Sequence, residues 1–97
     1  MSQKHLLTPD KIHHSPIQFK QTDVLNSPKE RMERLKTLNA AMKLGNHHKH
    51  KVRLSIMNAS DQLIEIKAKV WSVTEKYVIL KNSIMIPISS IMIVNFM

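Results

Sequence analysis

From Lys51 onward the chain alternates between apolar and polar residues. Val52, Leu54 and Ile56 fall on one side and Lys51, Arg53 and Ser55 on the other, the period of two of a strand with one buried face. The run Leu63–Val73 repeats the pattern, with Ile64, Ile66, Ala68 and Val70 opposed to Glu65, Lys67, Lys69 and Trp71. Beyond Tyr77 the apolar residues become nearly continuous and rich in β-branched types, which predicts strands covered on both faces. Five strands follow from this reading: Lys51–Met57, Leu63–Val73, Tyr77–Lys81, Ile84–Ile88 and Ile91–Phe96. The gaps between them are two to five residues long. Gaps of that length suit antiparallel hairpins, because a parallel crossover needs about a dozen residues.

The punctuation agrees with hairpins. Asn58-Ala59-Ser60-Asp61, Thr74-Glu75-Lys76 and Asn82-Ser83 supply turn-forming side chains. Pro87 has no amide to give a ladder and belongs on an edge or at an irregularity, and Ser89-Ser90 predicts a corner with a single 3₁₀ turn. A meander of five short strands most simply lowers its exposed edges by curling into a small barrel.

A helix is predicted over Pro28–Leu44. Ser27-Pro28-Lys29-Glu30 combines an N-cap serine, a proline at the first helical position and a glutamate three residues after the cap. Met32, Leu35, Leu38 and Met42 recur every three or four residues as one apolar stripe, suited to covering the barrel. Gly45, the only glycine, falls where a left-handed C-terminal residue is wanted. Residues 1–26 show no sustained period. Two readings stay open for them: a flexible tail, or an arm that orders against a partner and ties down Ile17, Phe19 and Leu25. The domain proper then spans 27–97.

Charge narrows the function. With 15 Lys and Arg against 7 Asp and Glu, the net charge is +8 in a chain of 97 residues. An excess of that size points to a polyanion, most often nucleic acid. Between Lys29 and Arg53 lie Lys29, Arg31, Arg34, Lys36, Lys43, Lys49, Lys51 and Arg53 against Glu30 and Glu33 alone. His47, His48 and His50 add part-time charge and hydrogen bonds to this zone. Lys67, Lys69 and Trp71 form a second group, where the indole either stacks on a base or packs beneath the helix or arm. On the helix the bland alternative is a solvated face with Glu30–Arg34 as an ordinary i,i+4 pair.

Catalytic and metal chemistry find little to stand on. The absence of cysteine excludes a disulfide framework and a thiolate metal site. One glycine cannot build a phosphate-cradling loop, no serine sits on a nucleophile elbow, and no carboxylates pair for acid–base work. The histidine run lacks a nearby carboxylate to complete a coordination shell, so no metal or other cofactor is expected. The start of the chain lacks a secretory apolar run and no later stretch suits a membrane span, so a soluble, cytoplasmic protein without a membrane partner is expected.

The helix followed by five strands resembles the Sm-like branch of the SH3-type small barrels. Val70-Trp71-Ser72-Val73-Thr74-Glu75-Lys76-Tyr77-Val78-Ile79-Leu80-Lys81 and Ile86-Pro87-Ile88-Ser89-Ser90-Ile91 look like that family's third-strand and closing-strand segments. The resemblance covers about residues 28–96 and implies the barrel. The second strand carries no glycine, and only Lys81-Asn82 echoes the family's base-holding signature, so neither ring assembly nor a base-specific pocket is implied. Leu38-Asn39, Leu44-Gly45-Asn46, Val70-Trp71 and Ile86-Pro87-Ile88 are also similar to short uncharacterised proteins of Bacteroidetes bacteria, which implies no activity. Size, basicity and tail resemble small ribosomal proteins in general character. The expectation is a mainly β, helix-capped small barrel that binds structured RNA, ribosomal RNA in particular, without catalysis. Neighbouring ribosomal proteins, or self-association through an edge strand, complete the expected partners. The alternative is an SH3-like protein-interaction module.

Overall fold

The computed structural model describes residues 4–7, 18–48, 50–81 and 83–97, with the backbone alone at 4–7, 47 and 48. The elements are β1 (Lys4–Leu7), α1 (Pro28–His48), β2 (Val52–Met57), β3 (Leu63–Ala68), β4 (Val70–Val73), β5 (Tyr77–Leu80), β6 (Ile84–Pro87), a 3₁₀ turn (Ile88–Ser90) and β7 (Ile91–Phe96). The protein is mainly β with one long helix. Among the described residues the strands form two sheets, in the orders β1-β3-β2-β7 and β4-β5-β6, and no ladder closes them into a five-stranded barrel. Alternation over Leu63–Val73 predicts a single strand. The chain instead breaks at Lys69, so that β3 pairs with β2 in the first sheet and β4 with β5 in the second. Between β6 and β7 the 3₁₀ turn carries the chain from one sheet to the other, at the predicted corner.

One core lies between the sheets. Val52, Leu54, Ile56, Ile64, Ile66, Ala68, Val70, Val78, Leu80, Ile84, Ile86, Ile88 and Ile91 meet there with Leu38 and Ala41 of the helix. Full burial of each large aliphatic contributes about 2 kcal/mol. The alternation read for β2 and β3 therefore places the predicted side inward. Near-continuous covering beyond Tyr77 does not occur: Tyr77, Met85 and Ile93 are exposed, so those strands alternate too. The hairpins close through local chemistry. Asn58 Oδ1 accepts the amides of Ser60 (3.0 Å) and Gln62 (2.9 Å), and Asp61 takes a left-handed φ of 60° that its short polar side chain tolerates. Thr74 Oγ1 accepts the Tyr77 amide at 3.0 Å, and Ser83 adopts φ 63° in the next turn.

The helix begins as predicted, with the Glu30 amide donating to Ser27 Oγ at 3.5 Å, and runs through Gly45 to His48. Its buried face overlaps the predicted stripe only in part: Leu38 is buried and Met42 packs against the core. Met32 and Leu35 are exposed, and the residues turned inward are Arg34, Leu38, Ala41 and Gly45, spaced four, three and four apart. Gly45 is not left-handed. A Cβ built on it would sit 2.7 Å from the Val70 carbonyl oxygen, so the glycine lets α1 lie against β4.

Residues 18–27 form a strap across the same domain. Phe19 bridges to Asn58, the Lys20 amide donates to the Met57 carbonyl (3.1 Å), and the Val24 amide donates to the Ser89 carbonyl (2.9 Å). Lys20 Nζ also pairs with Asp61 Oδ1. Phe19 is half-buried against the core; Ile17 lies outside the described residues. The Lys4–Leu7 backbone joins β3 in parallel, a strand that the aperiodic N-terminal sequence did not predict.

Candidate nucleic-acid interface

The register of the first sheet gathers the cations. In the β2–β3 hairpin Arg53 stands directly opposite Lys67, and one step beyond Val52↔Ala68 the chain reaches Lys51 and Lys69. All four lie on the side away from the core. Two groups that are far apart in sequence thus become one surface at one end of the sheet. Like charges facing each other across a ladder cost about 0.2–1 kcal/mol. A single buried core aliphatic outweighs that, so the fold can carry the repulsion. Glu65 supplies a counter-charge, its Oε1 lying 3.3 Å from Arg53 Nε as an ion pair without hydrogen-bond geometry.

The C-terminal end of α1 abuts this cluster. Gly45 rests on Val70, Asn46 Nδ2 donates to the Trp71 carbonyl (3.3 Å), and the His50 amide donates to the Leu44 carbonyl (3.2 Å). The Lys81 amide donates to the Lys69 carbonyl at 3.1 Å, bringing a further exposed lysine alongside. The interface accordingly comprises Lys51, Arg53, Lys67, Lys69 and Lys81, with Trp71 45% exposed at its margin. His50 takes a structural role, its Nε2 lying 2.6 Å from the Met97 carbonyl oxygen.

Among the described residues the predicted Lys29–Arg53 zone is divided between the helix and the sheet. Lys29, Lys36 and Lys43, seven residues apart, are exposed and run along the helix line opposite its buried face, away from the sheet cluster. Arg31 is exposed, but its Nε donates to the Leu25 carbonyl (2.8 Å) and lies 3.5 Å from Asp23 Oδ2. Arg34 is only 8% exposed and is withdrawn from the candidate phosphate contacts. Its two terminal nitrogens bind Asp23 Oδ1 (2.9 Å) and Oδ2 (2.7 Å), and Nη1 also donates to the Ile91 carbonyl (3.0 Å). The ordinary Glu30–Arg34 helix pair is thereby replaced by a bidentate lock joining strap, helix and β7. Burial alone would raise the Asp23 carboxyl. The hydrogen bonds from Arg34 and the Leu25 amide, with the charges of Arg34 and Arg31, outweigh it and hold Asp23 below its ordinary value of 3.8. The side chains of His47 and His48, and Lys49 altogether, lie outside the described residues.

Sequence reasoning missed Lys81 and Asn46. A signal for Lys81 was present, since the turn after Leu80 returns the chain beside the break at Lys69. Among the described residues no three His, Asp or Glu side chains group as a metal site, and no helix is long and apolar enough to cross a membrane.

A separate open cleft of about 450 Å³ lies at the strap, lined by Gln21, Asp23, Arg34, Glu75, Lys76, Tyr77, Pro87, Ile88 and Ser89. The lock forms part of its wall, so Arg34 and Asp23 there already satisfy each other. Comparison with family models, with curated proteins and with solved structures finds no match to this chain.

Proposed function

We propose that the protein is a non-catalytic, cytoplasmic RNA-binding protein that docks on structured RNA, ribosomal RNA in particular, through the cationic end of its first sheet. One observation carries this reading: the hairpin register sets Arg53 opposite Lys67 and continues to Lys51 and Lys69, with Glu65 beside Arg53. A fold gains nothing in stability from facing cations, whereas phosphates neutralise them and release counterions. Two sheets sharing the chain at the Lys69 break, with a 3₁₀ turn before the last strand, support an open relative of the SH3-type and Sm-like barrels. Neighbouring ribosomal proteins fit as further partners. Pairing of a second copy along β6 fits less well, because Pro87 lacks an amide and its carbonyl accepts Ser90 Oγ at 2.7 Å.

Binding to a folded RNA over a salt series tests the proposal. Log affinity falls linearly with log salt if several phosphates are neutralised. Affinity indifferent to salt, or no binding at low salt, refutes it. A second reading, an SH3-like protein-interaction module, draws support from the exposed Trp71, Tyr77 and Met85 on the second sheet. Co-purification from cells with and without ribonuclease separates the two: partners lost on RNA digestion favour the first, and partners retained favour the second.

A further inference from the structure

Trp71 stands where two unlike surfaces meet. It is the extra residue of a β-bulge, since the β4–β5 pairing steps from Val70↔Leu80 to Ser72↔Ile79 and passes it over. A bulge leaves its residue unpaired and re-aims the side chain. On one flank lie Lys69 and Lys81, joined through their backbones, and Asn46 holds the Trp71 carbonyl from the helix end. On the other flank is the outer face of the second sheet, where Ile79 stands opposite exposed Met85, and Tyr77 follows on the same side of β5. No residue of β4, β5 or β6 is charged.

We infer that this junction binds an unpaired stretch of RNA, with one base stacked on the Trp71 indole and the adjoining phosphates directed to Lys69, Lys81 and Lys51. The inference rests on the RNA reading above and adds the kind of strand recognised. Within a duplex the base faces are covered by their neighbours and cannot reach an indole on a sheet, whereas an unpaired nucleotide offers both a flat π-face and a phosphate. The juxtaposition of an uncharged aromatic platform and a cationic rim matches that pairing of groups. A purely apolar peptide would make no use of the exposed Lys51 and Lys81. Trp71 contacts the ligand by stacking, and the lysines by charge, so the two contributions are separable.

Trp71 is the only tryptophan in the chain, so its emission reports on the site directly. The full chain is titrated at low salt with a mixed-sequence single-stranded RNA and with a blunt RNA duplex of equal length. The single strand is expected to quench the emission, and the duplex to leave it unchanged. Trp71→Ala is expected to weaken single-strand binding about tenfold while leaving duplex affinity as it was, and Trp71→Phe to keep most of the affinity. Thermal melts of both variants establish that they are folded. Single-strand binding without quenching, or equal losses for both RNAs in Trp71→Ala, overturns the stacking inference and leaves RNA binding standing. Failure of both RNAs to bind overturns both. An emission change that follows protein concentration without RNA assigns the face to a second copy and likewise overturns the inference.

Discussion

The two sheets share one core and differ on their outer faces. The outer face of β2 and β3 carries Arg53, Glu65 and Lys67, with Lys51 and Lys69 at its end; that of β4–β6 carries Trp71, Tyr77, Ile79, Met85 and Pro87, without a charge. Inward residues are constrained in the same way in both, because each must fill the space between the sheets. Outward residues, with Ser55 at 3% exposure an exception, are freer of that constraint, so a contrast between the outer faces points to what each face meets. Tyr77 at 38% exposure and Met85 at 52% are not needed by the core, and neither is a lysine set against an arginine.

The contrast holds only if outer residues can change while the interior stays intact, and the largest expected effect tests the interior. Asp23→Asn leaves the Arg34 guanidinium buried without its counter-ion and is expected to cost about 3 kcal/mol in chemical denaturation. A loss below about 0.5 kcal/mol would mean that the strap is not locked to the helix and β7. Gly45→Ala tests the helix seat. An alanine gains up to about 1 kcal/mol of helix propensity, but its Cβ meets the Val70 carbonyl, and overpacking against backbone costs about 1–3 kcal/mol. A net destabilisation is therefore expected, read from the denaturation midpoint, and a stabilised variant would show that α1 does not approach β4 as described.

Acid acts on the same lock. Because the Asp23 carboxyl titrates below its ordinary value in the folded chain, its contribution is fully present above the unfolded value near 3.8. It is lost as pH falls through the lower folded value. Thermal melts between pH 7 and pH 2 are expected to show a loss at the acidic end that Asp23→Asn reduces. Identical profiles would remove the lock from the account. The smallest effect belongs to the outer faces: Met85→Ser on the uncharged sheet is expected to shift stability by no more than about 0.5 kcal/mol. A larger loss would make that face part of the fold.

Much of the sheet architecture was legible because alternation follows directly from burial. Val52, Leu54, Ile56, Ile64, Ile66 and Ala68 are inward as their period required. The merging of the two cationic groups was also within reach, since a turn centred on Ser60 fixes Arg53 opposite Lys67 by counting outward. The helix face was legible only in part, through Leu38 and Met42. Met32 and Leu35 drew attention as apolar residues at helical spacing, yet the helix seats itself through small and charged ones, Ala41, Gly45 and Arg34. Burial of Arg34 depends on Asp23, eleven residues earlier on a strap with no periodicity of its own. Gly45 suggested a helix end because glycine serves both left-handed turns and close approaches, and sequence alone does not separate the two.

The central claim, that facing cations on the first sheet serve a polyanion at some expense to the fold, meets its sharpest test in Lys67→Glu. The variant is assayed for affinity to a folded RNA across a salt series, beside its denaturation curve. The account predicts stability unchanged or raised by about 0.5 kcal/mol, as Arg53 gains an opposite partner. It also predicts weaker RNA binding, with a salt slope smaller by about one. Undiminished affinity with an unchanged slope would contradict it.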